Sequence, residues 1–153
     1  YQNKHKLDLV DEILSNVDII PNSIVLAQAA IESGWGKSRF AKEYNALFGE
    51  YTYDDSEGVI PLERENGDTH LIKSFKSYSN SVESYFNNIN SHYAYEDFRD
   101  IRNIMRKRNN FSNVSLLISK LSTYAEDENY IKTIRQVIKT NNFSIFDQKI
   151  ITY

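Results

Sequence analysis

The chain has 153 residues, 41% hydrophobic and 25% charged, which fits one globular domain with a substantial core rather than a disordered segment. Its net charge of −3 argues against nucleic acid as the main partner, because neutralising phosphates takes clustered Lys and Arg. The absence of cysteine excludes disulfides, thiol nucleophiles and Cys-ligated metals; His5, His70 and His92 lack metal-ligand spacing, so no metal and no cofactor are expected.

The chain opens on Tyr1 rather than Met, which reads as a processed or trimmed chain without its export signal. A first helix is expected over Lys4 to Asn16, where Leu7, Val10, Leu14 and Val17 recur at helical spacing. Pro21 then stands where a second helix begins, at a position where its missing N–H costs little. Ile24, Ala27, Gln28, Ile31 and Trp35 continue that helix, and Gly34-Trp35-Gly36 should end it, since glycine readily takes the left-handed conformation. A helical turn is expected from Ser38 to Tyr44. Between about Ala46 and Phe75 the pattern changes to short strand-like runs, Val59-Ile60-Pro61-Leu62 and His70-Leu71-Ile72, with an Asn66-Gly67 turn between them. Helical spacing returns with Val82, Tyr85, Phe86 and Ile89, started by Asn80 and Glu83 as a capping box. Further helices are expected over Tyr95 to Arg106 and Asn113 to Leu121. The basic run Arg102 to Arg108 reads as a solvated helix face. Asp127 is expected to cap a last helix carrying Tyr130, Ile131, Ile134, Val137 and Ile138; no element is assigned from Phe143 to Tyr153. No apolar run approaches the roughly 20 residues that span a bilayer, so no membrane span is expected. With no linker and no repeat, residues 1–153 read as a single domain.

Eleven tyrosines against one tryptophan suit a surface that meets sugar faces and hydroxyls, although more than half of the aromatic rings belong in a core. The stretch Leu26-Ala27-Gln28-Ala29-Ala30-Ile31-Glu32-Ser33-Gly34-Trp35-Gly36 sets one carboxylate among small and apolar residues near a helix C-terminus. Neither that end of the helix dipole nor partial burial favours the charged form, so the position suits a general acid. By residue chemistry alone it reads equally as a surface glutamate on the edge of an amphipathic helix.

That stretch resembles the catalytic-helix motif of the glucosaminidase domains of glycoside hydrolase family 73, in particular the Bax-type proteins. Asn45-Ala46-Leu47-Phe48-Gly49 is similar to the family's cleft-lining segment, Gly58 to Arg64 to its "GIIPLER", Phe75 to Tyr85 to its "FRxYxSxxES", and Leu121 to Tyr130 to its "YATDPxY". Five ordered matches from about Ile13 to Lys139 make the resemblance specific. Two residues depart from it: Glu126 stands where the family has Thr, and Glu128 where it has Pro.

The resemblance implies an α+β, mainly helical, lysozyme-like fold with a small β-hairpin lobe beside the cleft. It implies an endo-β-N-acetylglucosaminidase that cuts the β-1,4 bond after N-acetylglucosamine in peptidoglycan glycan strands, located in the cell envelope, periplasmic or secreted. Glu32 is then the proton donor. A second group is a base about 6.5–9.5 Å away, a nucleophile about 5 Å away, or the substrate's own acetamido group. Among Asp54, Asp55, Glu57, Glu63, Glu65 and Asp68, Glu63 matches the family's second Glu; a solvated hairpin charge is the competing reading. Tyr124 is expected near the reacting sugar, where it orients the acetamido group or stabilises positive charge. Trp35, Asn45, Phe48, Gly49, Tyr51, Tyr53 and Asp127 are expected to bind substrate. A lytic transglycosylase and a non-catalytic peptidoglycan-binding domain are the alternatives; the first lacks its typical Gly-Leu-Met-Gln segment here.

Overall fold

The computed structural model describes residues 2–61 and 70–147. In chain order the elements are α1 (Gln2–Val17), α2 (Asn22–Glu32), α3 (Arg39–Tyr44), β1 (Tyr51–Thr52), β2 (Gly58–Val59), β3 (Leu71–Lys73), α4 (Tyr78–Ser91), a 3-10 turn (Tyr93–Tyr95), α5 (Glu96–Lys107), α6 (Val114–Ile118), α7 (Tyr130–Thr140) and a second 3-10 turn (Phe143–Asp147). The chain is α+β, mainly helical, with one small antiparallel sheet. Contacts divide it into two compact units, residues 1–27 with 87–153, and residues 28–86.

In the first unit the core is Ile20, Ile24, Ile89, Phe98, Leu117, Leu121 and Ile134, each at most 2% exposed. Each such side chain stabilises the fold by about 1.5–3 kcal/mol relative to an exposed one. The polar half of this unit is organised by α5. Arg102 is fully buried and donates from Nη2 to Ser15 O (2.7 Å) and from Nη1 to Asp18 O (3.0 Å) and Ile19 O (2.9 Å). These carbonyls close the end of α1, where backbone acceptors have no partner within the helix. Arg106 binds the buried Asp18 carboxylate through Nε (3.0 Å) and Nη2. Arg99 donates to Ile89 O (3.1 Å) and His92 O (2.8 Å), which closes the end of α4 in the same way. The expectation of a solvated basic face is therefore wrong for Arg102. Arg99, Arg102 and Arg106 are three and four residues apart, so they share one face of the helix, and that face turns inward. Burial pushes the Arg102 pKa down to about 10, against the opposing pull of Asp18.

Helix α1 forms as expected, but its apolar stripe does not pack. Leu9, Val10, Ile13, Leu14 and Val17 are 41–65% exposed. Two polar links join α1 to α5: the Arg102 cap and an Asp11–Lys107 ion pair at 2.7 Å. By length and composition alone the stretch Leu9–Glu32 would pass for a membrane span, which is weak support for one. Here it is two helices broken at residues 18–21, with 44% of its most apolar window buried.

The second 3-10 turn closes onto the start of α2: Asp147 Oδ1 accepts Ser23 N–H (2.8 Å) and Phe146 O accepts from Asn22 Nδ2 (2.9 Å). The first bond satisfies one orphan backbone donor of the helix N-terminus. Asp127 caps the turn ahead of α7 rather than the helix itself, accepting Asn129 N–H on Oδ1 (2.8 Å). Helix α6 stops at Ile118, three residues short of the expected end, and its start is capped by Asn113.

In the second unit the sheet order is β1-β3-β2, with Tyr51 opposite Ile72 and Val59 opposite Ile72 on the other edge. The β2–β3 pair was expected and β1 was not. β2 stops at Val59, just ahead of Pro61, which has no N–H for a ladder. The Asn66-Gly67 turn lies outside the described residues. Helix α4 begins three residues earlier than expected: Ser77 Oγ, not Asn80, accepts the capping N–H, from Asn80 (3.3 Å).

Candidate active site

Most of the expected site residues lie in the second unit and are built around the end of α2. The helix stops at Glu32 because the next residues cannot continue it. Gly34, Trp35 and Gly36 all take positive φ (57°, 59° and 71°). Such a run is tolerable because two of the three are glycine; for Trp35 the left-handed conformation carries a steric cost. Ser33 braces the turn from inside. It is buried, donates Oγ–H to Ala29 O (2.6 Å) and accepts Gly36 N–H (2.8 Å), while Trp35 N–H reaches back to Ala30 O (2.8 Å). The effect is to leave Glu32 half-buried on the last helical position.

Gly49, in the segment from Asn45 to Glu50, is set against Glu32. Asn45 ends α3 in the left-handed conformation (φ 54°) and donates Nδ2–H to Phe75 O (2.9 Å). Leu47 N–H is held by the buried Ser81 Oγ (3.1 Å). Phe48 is 2% exposed and stacks on Tyr85 at 4.1 Å between centroids; the Tyr85 hydroxyl donates to the buried Gln28 Oε1 (2.6 Å). Phe48 is therefore wall rather than the sugar platform expected of it, because its ring faces are covered. Gly49, at φ 62°, turns its Cα toward the carboxylate: a Cβ there would lie 3.2 Å from Glu32 Oε2. Gly49→Ala should lower stability by about 1–2 kcal/mol, or several degrees in melting temperature, from the left-handed backbone, and should also displace the Glu32 carboxyl. Thermal unfolding and the carbon-13 shift of the Glu32 carboxyl would show it; an unchanged melting temperature and an unmoved Glu32 signal would refute it.

The other three aromatics expected to meet sugar, Trp35, Tyr51 and Tyr53, are open. Trp35 is 55% exposed and Tyr53 78%, and Tyr51 lies against His70 with ring centroids 4.2 Å apart. Of the carboxylates weighed as a second group, Glu63, Glu65 and Asp68 lie outside the described residues. Asp54 takes hydrogen bonds from Ser56 Oγ (2.6 Å) and Ser56 N (2.8 Å), which hold its pKa below the usual carboxylate range and make it a poor base. Glu57 is exposed and pairs with Lys73 at 3.7 Å. The sequence reading passed over Glu50, a carboxylate packed against α4; the signal available was its place directly after Phe48-Gly49.

Tyr124 and Asp127 belong to the first unit. Tyr124 is half-buried, parallel to Tyr130 at 5.8 Å and tilted on Tyr95 at 6.2 Å; Asp127 is exposed. A cavity of about 560 Å³ in that unit is lined by Phe111, Ile118, Arg135 and Ile138 among others, and none of the expected site residues touches it. Among the described residues no three His, Asp or Glu side chains gather in a way that would hold a metal.

The model of the family described as mannosyl-glycoprotein endo-beta-N-acetylglucosaminidase, Glucosaminidase, matches residues 7–143. Protein bax of Escherichia coli K12 is 37% identical over 113 residues, 74% of this chain and 39% of that protein. A protein named peptidoglycan hydrolase FlgJ, from Escherichia coli O157:H7, is 34% identical over 89 residues, 52% of this chain and 28% of that one. The chain thus spans two fifths or less of the curated relatives it matches. Among solved structures, the catalytic domain of the autolysin Auto from Listeria monocytogenes has a TM-score of 0.62 at 20% identity, covering 94% of this chain and 84% of that one. A Staphylococcus aureus protein titled N-acetylmuramoyl-L-alanine amidase also has a TM-score of 0.62, at 24% identity, covering 95% of this chain and 42% of that one. At these identities the structures speak for the fold alone. The family match, spanning nearly the whole chain in agreement with the Bax-type motifs, shows that this chain belongs to the glucosaminidase family.

Proposed function

We propose that this chain is one glucosaminidase domain that hydrolyses peptidoglycan glycan strands in the cell envelope, cutting the β-1,4 bond after N-acetylglucosamine with Glu32 as general acid. The observation that carries this reading is the setting of Glu32: a half-buried carboxyl on the last position of α2, fixed from behind by the Ser33 turn and faced by the Cα of Gly49. A proton donor needs a defined position and a partly dehydrated carboxyl. The relative named as a peptidoglycan hydrolase supports the choice of substrate. Trp35, Tyr51 and Tyr53, open to solvent, suit sugar faces. Release of soluble fragments from purified walls tests hydrolysis; binding without release would make this a wall-binding domain.

For the second step we favour attack by the substrate's own acetamido group, oriented by Tyr124, over a water activated by Glu63. The Tyr124 ring is held between Tyr130 and Tyr95, and a group that must orient a substrate needs that kind of support. On this route the product keeps the β configuration, Tyr124→Phe lowers kcat by about 10-fold or more through lost orientation, and Glu63→Gln is milder. Proton NMR of fresh digests reads the anomer before mutarotation. An α product, with Glu63→Gln as inactive as Glu32→Gln, would replace this route by inversion.

A further inference from the structure

Glu50 is a half-buried carboxyl that neither the acid step nor the acetamido step uses. Its Oε2 accepts from Ser84 Oγ of α4 (2.8 Å), and its backbone oxygen accepts Lys73 N–H of β3 (2.8 Å). Its Oε1 is shielded from solvent and has no hydrogen-bond partner among the described residues. Shielding of this kind raises the carboxyl pKa, against the pull of the Ser84 bond and the Lys73 charge. A buried, incompletely partnered carboxyl costs stability, and a glutamine or leucine would cost less. What the residue supplies in return is a two-sided anchor at one point of the chain. The residue directly before it is Gly49, whose Cα faces Glu32 Oε2. Moving Glu50 moves the wall that Glu32 rests against.

We propose that Glu50 is a positioning residue for Glu32: by clamping the chain between Ser84 of α4 and Lys73 of β3, it fixes Gly49 against the Glu32 carboxyl. It touches no substrate, and its side chain acts through the Ser84 hydrogen bond. The inference rests on Glu32 being the proton donor only in its kinetic arm; the placement of Gly49 and Glu32 is read without any substrate.

The test compares Glu50→Ala, Glu50→Gln and Ser84→Ala in the intact chain, by turnover of soluble glycan fragments and by NMR of the Gly49 amide and the carbon-13-labelled Glu32 carboxyl. Glu50→Ala should lower kcat about 10-fold with KM within about twofold, since a shift of 1 Å in a catalytic group can cost that much or more. It should also move both NMR signals. Glu50→Gln keeps an acceptor for Ser84 and should restore kcat to within about threefold of wild type, with both signals near their wild-type positions; a general loss of packing gives no such rescue. Ser84→Ala removes only the bond and should move the same two signals, so it decides the matter should Glu50→Ala not fold. Unmoved Glu32 and Gly49 signals in Ser84→Ala or a folded Glu50→Ala would overturn the proposal, as would a Glu50→Gln variant as impaired as Glu50→Ala. If the wild type leaves glycan uncut, the hydrolase reading fails while the NMR comparison still judges Glu50.

Discussion

Glu32→Gln is expected to leave a folded protein whose cleavage of peptidoglycan is lower by at least roughly 10²-fold, the scale at which general acid catalysis contributes. The substitution keeps the length and shape of the side chain and removes only the transferable proton. Glu32 is half-buried at a helix end, and the turn behind it is held by Ser33 and backbone bonds. The melting temperature should therefore change little. A folded variant with near-wild-type turnover would remove Glu32 from the mechanism and leave the family match without its central residue.

The largest effect on stability is expected at Arg102→Met. Methionine can fill much of the space but leaves the buried Asp18 carbonyl and the part-buried Ser15 and Ile19 carbonyls without their donor. Removing one partner from a buried ionic cluster costs about 3–5 kcal/mol. The lower end applies here because Arg106 still pairs with Asp18. For a domain of this size about 3 kcal/mol corresponds to a fall of roughly 10 °C in melting temperature. Lys107→Ala, which breaks the exposed pair with Asp11, should cost under about 1 kcal/mol. Thermal unfolding of the two variants side by side tests the account; equal shifts would mean that Arg102 is not the closing group of α1.

The parts of the fold visible in the sequence are those governed by neighbours along the chain. The Gly34-Trp35-Gly36 stop, the α3 turn, the β2–β3 pair and the family motifs from Gln28 to Gly36 and Asn45 to Gly49 depend on local conformation and on motif spacing. What was hidden depends on partners distant in sequence. Nothing near Arg102 says that its partners are Ser15, Asp18 and Ile19, more than eighty residues away. The apolar spacing of α1 reported a helix correctly and said nothing of its burial, because periodicity names a face and not what covers it. Phe48 had the composition of a sugar platform, and only the stack on Tyr85 shows it to be wall. β1 is two residues long and carries no alternation to detect. Glu50 was missed for the same reason as Arg102: its meaning comes from Ser84, thirty-four residues on.

The central claim, hydrolysis after N-acetylglucosamine with Glu32 as the acid, is tested most directly by mass spectrometry of the new glycan ends. Purified walls are digested in oxygen-18 water with wild type and with Glu32→Gln, and the ends are then reduced. The wild type should yield reducible N-acetylglucosamine ends carrying one oxygen-18, and Glu32→Gln should yield at most about one hundredth as many. N-acetylmuramic acid ends, 1,6-anhydro ends without the label, or equal yields from the two proteins would contradict it.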